Sequence, residues 1–354
     1  MKNTSFKKEL FISAAVFAFA LLFGFLCRFE GFAQKIRPLS DFVAGGLNAF
    51  SSLFPFSLAQ FALPLFFGGL IFYIIYCIVR KKYFKWIPKV LFAAAYVYFS
   101  FVFLHSYAFA LPYASDALPY EIEPHDSDTL AQVTSMIIED LNEAEKLIGR
   151  DENGVMVLRD FSENCAKINE SYLTLMEKYD FTSRSRIGRA KQAGLLSVPM
   201  SYWNTSGFYF MFLGEANVTE DMVNTHIPFI TAHETAHTLG IVRENEANFF
   251  AFLSCYESGD SQLKYSALIN AYVYSINSLY SADAEKAAEL STALSENVRD
   301  DLTRLNTHLA KYETPIKEAG DSFNDAMLKS SGEKDGIKTY GYMTDLLISY
   351  YLAK

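Results

Sequence analysis

The stretch ITAHETAHTLGIVRENEANFF, residues 230–250, decides how the chain is read. His233 and His237 stand four apart with Glu234 between them. Pro228 suits the first turn of a helix and Gly240 the position just past its end. Both imidazoles then lie on one helix face, one turn apart, where they can reach a single ion. Glu234 projects beside that ion, as a general base for water must. H-E-x-x-H on a helix therefore points to zinc. The plainer alternative is an exposed helix that happens to carry a histidine pair.

Two histidines and a water leave a zinc site one protein ligand short. The run H-E-x-x-H-x-x-G continues as far as Gly240, but where a third histidine would complete it stands Arg243, which cannot ligate. The remaining candidates are Glu244 and Glu246. On a helix running straight on, Glu244 would stand ~10 Å along the axis from His237, too far for a bond of ~2 Å. The chain must turn, and Gly240 is where it can. A new helix starting near Arg243 would bring its first turn back over the metal. On that helix Glu244 and Glu246 point ~200° apart, so only one can face the histidines. Glu244 shares its face with Asn248, a spacing that suits a ligand followed by a residue orienting a histidine.

Outside this stretch the apolar residues are unevenly spread. Residues 10–27, 56–79 and 88–111 are almost free of charge. Each run is long enough to cross a hydrocarbon core of ~30 Å at ~1.5 Å per residue. The first lacks a small-x-small cleavage site before Arg28, so it reads as an uncleaved span. Lys2, Lys7 and Lys8 precede it, and Arg80, Lys81, Lys82, Lys85 and Lys89 join the second span to the third. The positive-inside tendency puts both flanks in the cytoplasm, with the loop 28–52 and everything after 111 outside. The expected division is a membrane anchor, 1–111, and an extracytoplasmic domain, 112–354. The bilayer is thus one expected partner, and a peptide or protein substrate is the other.

The acidic side chains that make the net charge −9 lie mostly in the second part, which has no basic stripe and so no claim on nucleic acid. Cys27 and Cys77 fall in spans; Cys165 and Cys255 read as buried thiols rather than as a disulfide framework. Helical periodicity marks 126–149, 162–179, 261–281 and 282–312. Pro315 then breaks the pattern, and 339–353 closes the chain with a helix. Residues 207–218, GFYFMFLGEANV, are the best strand candidate, read either as a substrate-binding edge beside the histidine helix or as a buried core strand. Glu215 within it reads as a surface or capping residue more than a ligand, and His226 as a loop histidine. His105 sits at the outer end of the third span. Tyr265, Tyr272, Tyr274, Tyr340 and Tyr342 could each donate to a developing oxyanion, though most must be packing residues. The fold class expected is α+β, mostly helical, with a small sheet behind N-terminal transmembrane helices.

HETAH followed by RENEANFFA resembles the glutamate-ligand zincins, or gluzincins, whose third-ligand helix reads E-x-x-A-D/N. The resemblance implies a zincin-like metallopeptidase fold, Glu244 as the third zinc ligand and Asn248 behind it. The link from His237 to Glu244 is shorter than that pattern usually has, which leaves Glu246 open. SGFYFMFLGEANV, HETAHTLGIVRENEANFFAFLSC and YGYMTDLLISYY, with the N-terminal spans, resemble a bacterial family, domain of unknown function 3810, over nearly the full length. The expected activity is zinc-dependent peptide hydrolysis with His233, His237 and Glu244 on the metal and Glu234 as base. The competing expectation is a zinc-binding envelope receptor or sensor without catalysis.

Overall fold

The computed structural model describes residues 2–82, 84–331 and 340–354, with side chains described for 5–82, 84–329 and 342–354. The chain divides into two compact units, one of residues 1–112 with 210–215, the other of 113–209 with 216–354.

In the first unit α1 (Lys2–Leu26), α3 (Ala59–Val79) and α4 (Ile87–Leu104) contain the three segments long and apolar enough to cross a membrane. The α1 and α4 helices pack along each other through Phe19, Phe23, Phe99 and Phe103, with Tyr98 over Gly24. A side chain at Gly24 would meet the Tyr98 ring, so the glycine sets how closely these helices approach. Outward-facing Phe11, Leu65 and Phe72 are more than two-thirds exposed, as suits side chains meeting lipid rather than water.

Residues 28–52, expected as a loop, contain a long helix, α2 (Glu30–Ser51). Pro38 and the Gly45–Gly46 pair hide it from propensity reasoning, since each costs a helix stability in isolation. Packing supplies the compensation. Ala33, Ser40, Ala44, Asn48 and Ser51 form a buried stripe, and α2 lies against α4 and the 3₁₀ turn Ser106–Ala110 that follows it.

The second unit is built around α9 (Glu244–Glu257). Ala247, Phe249, Phe250, Ala251, Phe252, Leu253 and Cys255 have no exposed surface. A helix apolar on every side must be central. Around it pack α6 (Phe161–Lys178), α8 (Ile227–Thr238), α10 (Ser261–Ala282) and α14 (Tyr340–Ala353), with α5 (Ser127–Glu145) against α10 and α14, and α7 (Ser197–Tyr202) more peripheral. Asp126, Asp160 and Asp260 cap the N-termini of α5, α6 and α10 by accepting backbone N–H groups. The single helix read over 282–312 is two, α11 (Ala284–Ser291) and α12 (Glu296–Ala310). Ser295 accepts the Val298 N–H, so a new N-cap interrupts the apolar period. Pro315 does not end the helical run but opens α13 (Pro315–Ser331), the first-turn position that proline tolerates best.

The strand read over 207–218 is two strands. Among the described residues the sheet has three: β1 (Ala190–Gln192), β2 (Gly207–Phe210) and β3 (Glu215–Val218), in the order β1-β3-β2. β1 runs parallel to β3, Ala190 opposite Ala216. Gly214, at φ +62°, turns the chain between β2 and β3, a conformation that excludes most other residues. This leaves β2 at a sheet edge.

Candidate metal centre

The geometry of the centre begins with how α8 ends. Gly240 takes φ +86°, its N–H bonds to the His237 carbonyl, and the Ile241 N–H bonds back to the Ala236 carbonyl. This paired closure satisfies helix-end carbonyls and turns the chain. The remaining C-terminal carbonyls are also met: Arg184 donates to Thr238 at 3.1 Å and Thr182 to Leu239 at 2.6 Å. At the other end the Phe229 N–H reaches the buried Ser266 hydroxyl of α10, and Tyr172 of α6 donates to the Ala232 carbonyl. Fully buried Ala232 and Ala236 let neighbours come close. The helix is held at both ends and in the middle.

Because of that turn, the Ile241 carbonyl returns to the helix it follows. It accepts His237 Nδ1–H at 2.7 Å, which fixes the tautomer and leaves the Nε2 lone pair pointing inward. His237 Nε2 stands 3.1 Å from His233 Nε2. Glu244, at the start of α9, closes the triangle: its carboxylate oxygens lie 3.2 Å from His233 Nε2 and 3.7 Å from His237 Nε2. Donor atoms bonded at ~2.1 Å in a tetrahedral arrangement are ~3.4 Å apart, and these three spacings bracket that value. Among the described residues His233, His237 and Glu244 form a group that can hold a metal ion. His237 is buried, His233 keeps 14% of its side chain exposed and Glu244 40%, so one side remains approachable.

The electrostatics agree with a cation-seeking site. Burial alone would lower the pKa of His233, but the hydrogen bond and charge of Glu244 outweigh it and raise it to about 8. His237, whose burial dominates, is lowered and stays neutral. Asn248 favours charged His233 as well, although His233 Nδ1 itself has no hydrogen-bond partner of good geometry among the described residues.

Glu234 is almost fully buried on the same helix, and burial raises its pKa to about 8; the Glu244 charge adds to this and His233 opposes it. Its Oε2 atom has no partner among the described residues. The Glu234 carboxylate faces Gly207 of β2, where an added Cβ would lie 2.5 Å from Oε1. Two residues along the strand, and so on the same strand face, the Tyr209 ring is 6.5 Å from the His237 ring. Neither Gly207 nor Tyr209 stands out by sequence spacing. The only signal was the aromatic, glycine-flanked strand itself.

Glu246, the other candidate ligand, points elsewhere. It is 2% exposed and accepts the Ser115 N–H at 2.8 Å and the Ser115 hydroxyl at 3.0 Å, with Arg243 at 3.5 Å. Burial raises its pKa against the pull of these partners. Arg243 stacks on Tyr113 at 4.0 Å, so Glu246 pins the segment that opens this unit. Glu215 is a cap: fully buried in the first unit, it accepts the Leu58 and Ala59 N–H groups at the start of α3. His226 precedes α8, buried, with its pKa lowered to about 4 by burial. His105 ends α4 between Phe101 and Phe109. Tyr265 binds Asp301, Tyr272 Ser291 and Tyr342 Ser115; the Tyr340 side chain lies outside the described residues. All four cysteines are free and buried.

The chain belongs to the family described as protein of unknown function (DUF3810), whose profile matches residues 37–348. No curated protein and no solved structure matches it.

Proposed function

We propose that the chain is a membrane-anchored, zinc-dependent metallopeptidase of the glutamate-ligand zincin kind, with its hydrolytic domain, from about residue 112 onward, outside the cytoplasm. His233, His237 and Glu244 hold the metal and Glu234 is the general base. The observation that carries this reading is the convergence of two Nε2 atoms and one carboxylate, at 3.1, 3.2 and 3.7 Å, beside a buried carboxyl. A purely structural zinc site needs no such carboxyl, which is costly to bury without partners.

Zinc supplies Lewis-acid polarisation of a carbonyl and acidifies water at neutral pH. The chain's own groups do the rest. Glu234, buried beside the two histidines on the same helix, accepts a proton from the attacking water and delivers it to the leaving nitrogen. Gly207 leaves room for the Glu234 carboxylate.

Glu234→Gln tests the role. The amide keeps the shape but cannot accept a proton, so peptide hydrolysis should fall ~10²-fold or more with zinc content unchanged. Equal zinc-dependent turnover in both forms would remove Glu234 from the mechanism. Zinc binding without hydrolysis of any member of a broad peptide library would favour the receptor reading.

A further inference from the structure

The α2 helix has no role in the metal centre, and one of its faces is unlike that of a water-facing helix. At ~100° per residue, Leu39, Phe42, Gly46 and Phe50 fall within ~80° of one another, ~160° from the buried stripe of Ala33, Ser40, Ala44, Asn48 and Ser51. From Leu39 onward the outward face is therefore apolar, with the exposed Lys35 one turn earlier on the same face, and the inward face is made of small or polar residues. Leu39, Phe42 and Phe50 are 57, 79 and 51% exposed, and Leu53 just beyond is 76% exposed. An amphipathic helix in water shows the reverse arrangement.

Charge is distributed just as unevenly along the helix. Glu30, Lys35, Arg37 and Asp41 occupy its first twelve residues, with Arg37 and Asp41 paired at 3.7 Å. From Phe42 to the start of α3 there is no charged residue. Four charges and Pro38 keep α2 from being a span, since each charge at the bilayer centre is costly. Its ends are nonetheless tied to spans. Three residues separate it from α1 and seven from α3, and the outward faces of both carry exposed phenylalanine and leucine.

We propose that residues 42–58, the C-terminal half of α2 and the turn after it, lie within one leaflet of the bilayer with Phe42, Phe50 and Leu53 against acyl chains. The charged first half emerges into the headgroup layer. The occupant is lipid, because the apolar surface continues that of the flanking spans and ends where the charges begin. The inference is independent of the metal centre and uses only the membrane anchorage of the chain.

Site-directed spin labelling of the full chain in liposomes tests it. Phe42→Cys, Phe50→Cys and Leu53→Cys are labelled alongside Gln34→Cys, which lies in the charged half; the four native cysteines are buried and spared. Relaxation by oxygen, which partitions into lipid, is compared with relaxation by a water-soluble nickel chelate. The oxygen-to-nickel accessibility ratio at 42, 50 and 53 should exceed that at 34 several-fold. Nickel access at 42, 50 and 53 equal to that at 34 would place the face in water and overturn the proposal. Shielding from both reagents would mean that a second copy covers it, and would overturn it too. So would failure of the protein to float with the liposomes.

Discussion

At the scale of single residues, the pairing of Gly207 with Glu234 makes a sharp demand. A methyl group at 207 cannot coexist with the observed carboxylate, because its nearest contact would be 2.5 Å. Gly207→Ala should therefore displace the base and lower kcat at least ~10-fold, while zinc content stays at the wild-type level. Measuring metal and turnover on the same preparation checks it, and an unimpaired variant would show that Glu234 can act from another position. The histidines, Glu234 and the contest between Glu244 and Glu246 were legible in the sequence because they lie within fourteen consecutive residues. Gly207 and Tyr209 were not, because their nearness to α8 is a tertiary fact. The buried polar contacts of Glu246 with Ser115 were equally invisible, being separated by 131 positions.

At the scale of elements, the decisive feature is the turn between α8 and α9, and Gly240 was readable as its pivot. Local chemistry suffices there: a left-handed residue is needed, and glycine supplies it. Reading by periodicity failed where packing overrides propensity, as in α2 with its proline and paired glycines. It also failed where a cap or tight turn interrupts a pattern that continues on either side, at Ser295 and at Gly214. Caps make their own predictions. Asp260 accepts the Gln262 and Leu263 N–H groups and pairs with both terminal nitrogens of Arg159 at 2.5 and 2.7 Å. Burial pushes its pKa up, but the Arg159 hydrogen bonds and these N–H groups outweigh it and hold the carboxyl below its ordinary 3.8. A carboxyl depressed in the folded state contributes stability that is present above the unfolded value and lost as pH falls through the folded one. Asp260→Asn should thus cost ~1–3 kcal/mol at pH 7, with variant and wild type converging as pH falls from the ordinary value through the depressed folded one. Urea titrations across pH read this directly, and a pH-independent difference would assign the loss to packing.

At the scale of the whole molecule, the lysine and arginine asymmetry predicts that the N-terminus and the 80–89 loop are cytoplasmic and the later domain is outside. Protease added to intact cells, stripped of any wall, should digest the domain and spare the loop; a protected domain would reverse the orientation. The central claim is the metal centre itself, and zinc stoichiometry of the purified full chain under a competing chelator measures it most directly. About one zinc per chain is expected. Glu244→Ala should lose the metal, whereas Glu246→Gln, which keeps the shape of the side chain that binds Ser115, should retain it. A chain that binds no zinc, or a Glu244→Ala variant that holds it as tightly as wild type, would overturn the assigned metal centre.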